Sequence, residues 1–119
     1  MIEEVLEVYQ PMPDNIIRVY IGDGSKKLEV PASYKEESHF SVSLTNSKAE
    51  WLASELKSSH GINWIRLDND RVLRVVKSVE IRQLILSNIK GDQEIQTGRI
   101  GVILEEVIDK VIDCLKANP

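Results

Sequence analysis

Seven basic side chains crowd one stretch of the chain. Lys57, Arg66, Arg71, Arg74, Lys77, Arg82 and Lys90 face only Asp68, Asp70 and Glu80 as local acids. Clustered guanidinium and ammonium groups attract anions. Five of them, Arg66, Arg71, Arg74, Lys77 and Arg82, form a candidate set for a nucleotide, single-stranded nucleic acid or an acidic protein face. A helix beginning at Ser78 would add the positive end of its dipole. The plainer reading makes the same residues solvated strand ends neutralised by the neighbouring carboxylates. Acid–base or covalent chemistry has fewer candidates. His39, His60 and Cys114 are the only near-neutral titrators or soft nucleophiles, and a catalytic thiol needs a base beside it. Cys114 sits among apolar residues, the usual setting of an inert thiol.

Several shorter motifs resolve more simply. Asp68-Asn69-Asp70 begins like a calcium loop, but Leu73 and Val79 stand where its glycine and bidentate glutamate belong, so a turn is expected. Gly22-Asp23-Gly24 precedes strand-like alternation and not a helix, which excludes a dinucleotide fingerprint. Gly98-Arg99-Ile100-Gly101, at the head of a helix, would offer backbone N–H groups beside an arginine as a modest anion site. Trp51 and Trp64 suit either core packing or a partner anchor. One cysteine and two histidines cannot close an intrachain disulfide or a Cys/His zinc site. No metal or organic cofactor is expected.

These groups must be positioned by a chain of 119 residues, the size of one domain, and residues 1–119 are read as a single unit. Hydrophobic residues at 42% and charged residues at 29% describe an ordinary globular composition and exclude disordered or collagen-like classes. The absence of an 18-residue apolar run and the acidic opening Met1-Ile2-Glu3-Glu4 lead to the expectation of a cytoplasmic protein with no membrane partner. Residues 1–56 carry five basic and ten acidic side chains, whereas residues 57–90 carry seven and three. With an isoelectric point near 5.2, the acidic flanks would repel a phosphate backbone outside any small patch, which disfavours duplex DNA.

Hydrophobic spacing supplies the elements. Ile2, Val5, Leu6 and Tyr9 suggest a short helix, ended by Pro11 and Pro13. Ile17, Val19 and Ile21 then alternate with Arg18 and Tyr20, and the Gly22–Ser25 turn leads to Leu28 and Val30, a β-hairpin. Residues 32–38 read as a loop, and Phe40, Val42 and Leu44 as a third strand. Ser47-Lys48-Ala49-Glu50 fits a capping box opening a helix that buries Ala49, Leu52, Ala53 and Leu56 and stops at His60-Gly61. Strands at 62–67 and 71–76 flank a turn at Asp68–Asp70. Ile81, Leu84, Ile85 and Ile89 predict a helix after Ser78, and a long last helix runs from about Gly98 to Ala117. The expected class is α+β: an antiparallel sheet of about five strands, in the order α-β-β-β-α-β-β-α-α, with helices on one face.

In that last helix Ile100, Ile103, Leu104, Val107, Ile108, Val111, Ile112 and Leu115 would cover about half the circumference, where about 100° suffices to cover a core. The surplus predicts a second buried surface, most simply a homodimer interface. The leading functional expectation is therefore a non-enzymatic protein-interaction module, homodimeric through its C-terminal helix and of the small acidic inhibitor, immunity, adaptor or chaperone-like kind, with a macromolecular protein partner. The alternative is a nucleotide or single-stranded nucleic-acid binder using residues 66–82. A third is a small enzyme built on His39 or His60.

Overall fold

The computed structural model describes residues 4–11, 16–31, 39–91 and 93–117. Strands β1 (Glu4–Tyr9), β2 (Ile16–Ile21), β3 (Ser25–Pro31) and β4 (His39–Thr45) pair in chain order into one antiparallel sheet. Helix α1 (Asn46–Lys57) leads to a second antiparallel sheet of β5 (Gly61–Arg66), β6 (Arg71–Lys77), β7 (Ile81–Lys90) and β8 (Gln93–Leu104). A 3-10 turn at Glu105–Val107 and helix α2 (Ile108–Lys116) follow. The class is α+β as expected, but the single sheet of about five strands is corrected to two sheets of four. The predicted loop at 32–38 lies outside the described residues.

Three predicted helices need correction. The segment read as a helix at 2–9 is strand β1 over its described part, paired with β2 from Glu4 opposite Ile21 to Tyr9 opposite Ile16. The segment after Ser78 is β7: the Ser78 amide and hydroxyl both donate to the Ile81 carbonyl, at 3.0 and 3.1 Å, and close a turn into the strand. The long helix from Gly98 is β8 up to Leu104, and only Ile108–Lys116 is α-helical. Helical spacing misled for one physical reason. β1, β7 and β8 carry apolar side chains on both faces, so the two-residue alternation that marks a half-buried strand is missing.

Elsewhere local chemistry sets the elements as expected, with small shifts. In the first hairpin the Gly22 amide donates to the Ser25 carbonyl at 3.0 Å, and Gly24 takes φ +75°, a conformation costly for residues with a Cβ. The cap of helix α1 lies two residues before the predicted one. Thr45, not Ser47, caps it by accepting the Lys48 amide at 3.3 Å, and the Asn46 amide donates to the Gly24 carbonyl at 3.1 Å.

A single hydrophobic cluster joins both sheets and both helices, including Ile17, Leu28 and Phe40 of the first sheet, Leu73, Leu84 and Ile103 of the second, Leu52 and Leu56 of α1, and Val111 and Leu115 of α2. The sheets pack closely at Gly101. A Cβ there would lie 3.1 Å from Phe40 and 3.2 Å from Val30, so only glycine lets β8 settle on β3 and β4 without displacing those side chains.

This packing decides the fate of the proposed dimer helix. Ile103, Val111 and Leu115 have no exposed surface, and Val107, Ile108 and Ile112 retain 4% each. The chain's own core covers these six, so the apolar surplus that motivated dimerisation through a C-terminal helix does not exist on α2. Ile100 and Leu104, half-buried, belong instead to the face of β8 that points away from the core. No described helix is long and apolar enough to cross a membrane.

Candidate interaction surface

Strand alternation divides the basic residues. Arg66 and Arg74 lie on the face of the second sheet turned away from the core, while Arg71, Lys77 and Arg82 lie on the other, in register with core residues. Most are committed to partners within the chain. Arg71 donates from Nε and Nη2 to the Asp68 carboxylate at 3.0 and 2.9 Å, and that carboxylate also accepts the Asp70 amide at 2.9 Å. The Asp70 amide first, and then the Arg71 guanidinium, hold the Asp68 carboxyl below its usual range. This is a turn with an ion pair, as expected in place of a calcium loop. Lys77 Nζ pairs with Glu55 of α1 at 2.8 Å, with little exposure on either side chain.

Arg82 is the reverse of an anion-binding residue. Its side chain is 1% exposed; Nε donates to the Leu56 carbonyl at 3.0 Å, Nη1 to the Ser78 carbonyl at 2.7 Å, and Nη1 also pairs with Glu105. It ties the end of α1, the β6–β7 turn and the start of the 3-10 turn into one joint. A buried guanidinium needs such complete pairing, because desolvation without it is costly. Arg66 donates to the Gly91 carbonyl at 3.2 Å, and Arg74 is also engaged. Lys57, exposed at the end of α1, lies near Lys116 at the end of α2 and lowers its pKa by hydrogen bonding and charge repulsion. Lys90 is exposed at the end of β7. The cluster therefore does not converge on one patch, and the Ser78 helix that was to supply a dipole is a turn.

The other candidates are equally dispersed. His60 is exposed in the connection between α1 and β5, and His39 opens β4. Cys114 is partly buried in α2, where burial and, secondarily, Asp113 raise its thiol pKa, so its reactive thiolate is disfavoured. Gly98-Arg99-Ile100-Gly101 is strand and not a helix entry, which removes the backbone donors expected there. Among the described residues no group of three His, Cys, Asp or Glu is placed to hold a metal ion. A depression of about 330 Å³ lies on the first sheet, lined by Tyr20, Lys26, Lys27, Ser43 and residues Gly22, Asp23 and Ser25 of the hairpin turn.

What the register does assemble is an apolar face. Ile62, Val76, Gln83 and Val102 lie side by side across the second sheet, and Trp64, Arg74, Ile85 and Ile100 form the next rung. Ile81 and Leu104 extend the same face by one pair. None of these residues belongs to the core cluster. Ile62 and Trp64 are 66% and 56% exposed, and Val79 in the adjoining turn is 70% exposed. An antiparallel sheet with a solvated face normally turns polar residues outward, and contiguous apolar surface on a small protein marks a place of contact. Trp64, considered at the sequence level as core or partner anchor, lies outside the core cluster, whereas Trp51 packs against it.

Two polar residues absent from the sequence-level candidates shape the rest of the molecule. Gln10, 6% exposed, donates from Nε2 to the Val102 carbonyl at 3.2 Å, and its Oε1 accepts the Leu104 amide at 2.7 Å. Its carboxamide thus substitutes for a neighbouring strand along β8. Lys26, 4% exposed, donates to Asn46 at 3.1 Å. Neither has a spacing signature, since both bonds join residues that only the tertiary fold brings together. No protein-family model matches this sequence, and no curated protein matches it.

Proposed function

We propose that this protein is a non-enzymatic protein-interaction module whose contact surface is the outer face of the second sheet. The observation that carries this reading is the pair of mainly apolar rungs, each interrupted by one polar residue (Gln83 or Arg74), running from Ile62 and Trp64 on β5 to Val102 and Ile100 on β8, outside the core. Burying apolar area at about 25 cal/mol per Å² is the main driving force of protein association, and a tryptophan beside aliphatic neighbours is the residue type that anchors such interfaces. The non-enzymatic part rests on the scarcity of soft nucleophiles and near-neutral titrators in the sequence, which are limited to His39, His60 and Cys114. The nucleotide or single-stranded nucleic-acid reading finds less support, because Arg71, Lys77 and Arg82 are held by Asp68, Glu55 and Glu105.

The test compares capture by the wild type with capture by Ile85→Glu on this face and by Ser41→Glu on the first sheet, each used as bait in its native host. A protein retained by wild type and Ser41→Glu but lost with Ile85→Glu supports the reading. Retention of every captured protein by a folded Ile85→Glu variant overturns it.

A further inference from the structure

Of the sheet edges, β5 differs from the others in its lack of protection. β8 is occupied by the Gln10 carboxamide and broken by register shifts at Ile85/Ser87 and Asn88/Ile89. β4 contacts β8 and runs directly into α1, and β1 contacts α2 and carries Glu4 and Glu7. Among the described residues β5 makes its substantial contacts with β6 alone, pairs with it without a bulge from Gly61 to Arg66, and has the sequence Gly-Ile-Asn-Trp-Ile before its first charge. Natural sheets blunt water-facing edges with charges, prolines or bulges. This one has none of these over five residues.

We infer that β5 pairs edge to edge with β5 of a second copy of this chain, about a two-fold axis at Asn63. The inference rests on the reading above and deepens it by naming one partner. The Leu67 amide donates to the Arg71 carbonyl at 3.0 Å, so the backbone groups of odd-numbered β5 residues face β6 and, by alternation, those of Ile62, Trp64 and Arg66 point off the sheet. The Trp64 amide there is bonded to the Asn63 side chain at 2.9 Å. An antiparallel partner must match these outward groups. With the axis at Asn63, Ile62 lies opposite Trp64 of the other copy twice over, an aromatic against a β-branched residue on the same face, the kind of cross-strand pair that stabilises sheets. With the axis at Trp64, Ile62 would instead face Arg66. The Asn63 register also sets Asn63 against itself, where two carboxamides satisfy each other once the Trp64 amide passes to the incoming strand.

A second copy is favoured over a foreign strand because the segment is its own complement. Residues 61–65 carry no charge, so the two-fold brings no like charges together there, and the isologous interface closes at a dimer. The pairing also joins the two apolar outer faces into one eight-stranded surface. An edge of six residues buries less than the roughly 800 Å² per partner of a standard interface, so the dimer should dissociate on dilution.

Disulfide trapping tests the register. In the full chain carrying Cys114→Ser, Asn63→Cys would place two cysteines at a non-hydrogen-bonded antiparallel pair, with Cα atoms about 4.5 Å apart, within disulfide reach. Under mild oxidation it should cross-link about tenfold faster than Ser54→Cys on the exposed side of α1 or Arg66→Cys at the strand end. Equal rates for the three overturn the inference, as does sedimentation of the wild type as a monomer at every concentration up to about 100 μM, where a dimer of even weak micromolar affinity would be populated. Failure here with capture still sensitive to Ile85→Glu removes only the dimer. Rapid trapping with capture indifferent to Ile85→Glu leaves the dimer standing and removes the wider contact surface.

Discussion

The outer faces of the two sheets have the same strand count and pairing but different chemistry, the first being mainly polar with Val5 and Tyr9 exposed along its β1 edge. On the first, Arg18 pairs with Glu7 at 2.9 Å, Tyr20 donates to Glu29 at 2.8 Å, and Lys27 sits 4.5 Å from the centre of the Tyr20 ring. Each contact joins neighbouring strands, so the face is laced by polar groups that water also solvates. On the second, equivalent positions hold Ile62, Trp64, Val76, Ile85, Ile100 and Val102, with Arg74 and Gln83 between them. Cross-strand pairs stabilise both. Only the polar set is complete in water, because apolar pairs gain further when something excludes solvent from above them. One sheet satisfies most of its outer face within the chain, while the other keeps apolar surface that the proposed partner would cover.

That contrast can be broken most directly on β7, where adjacent residues point to opposite sides. Leu84→Ala, in the core, should cost about 2–5 kcal/mol by denaturant titration, and Ile85→Ala on the outer face of the monomer less than about 1.5 kcal/mol. Equal costs would mean that the outer face is already covered. Gly101→Ala tests the place where the sheets meet: overpacking against Phe40 and Val30 should cost about 1–3 kcal/mol in the same assay. The first sheet's polar lacing is worth less. A double-mutant cycle on Glu7 and Arg18 should give a coupling of about 0.2–1 kcal/mol that shrinks with added salt, whereas the Ile85→Ala cost should be insensitive to salt.

The smallest effect concerns Asp68, at the turn beside the apolar face. Its folded pKa is lowered below the usual value near 3.8, so its contribution is complete above the unfolded value and disappears as pH falls through the folded one. Asp68→Asn should therefore flatten the acid limb of stability below about pH 4 and leave the neutral plateau nearly unchanged in its slope. An unchanged acid limb would show that the turn does not favour the carboxylate.

Much of this architecture was legible from residue spacing. Ile17, Val19 and Ile21 alternating with Arg18 and Tyr20 located β2 because that sheet has one wet face and one dry face, and the period of two follows. The turns at Gly22–Ser25 and Asp68–Asp70 were readable because they depend on local backbone chemistry. Helix α1 was readable from its apolar stripe, although its cap belonged to Thr45. The candidate surface was not readable, since its defining feature hides the signal: β7 and β8 are apolar on both sides, so Ile81, Leu84, Ile85 and Ile89 imitate a helical stripe.

The sequence alone determined the α+β class, the first hairpin, α1 and an apolar surplus near the C-terminus. The tertiary structure decided where that surplus lies. Packing drew Ile103, Val107, Ile108, Val111, Ile112 and Leu115 into the core and left Ile100 and Leu104 on an open sheet face. It also turned Arg82 from a candidate ligand-binding cation into a buried joint among Leu56, Ser78 and Glu105. The physical reason is the same in both cases. Hydrophobicity and charge are properties of residues, but exposure depends on which distant segments arrive to cover them.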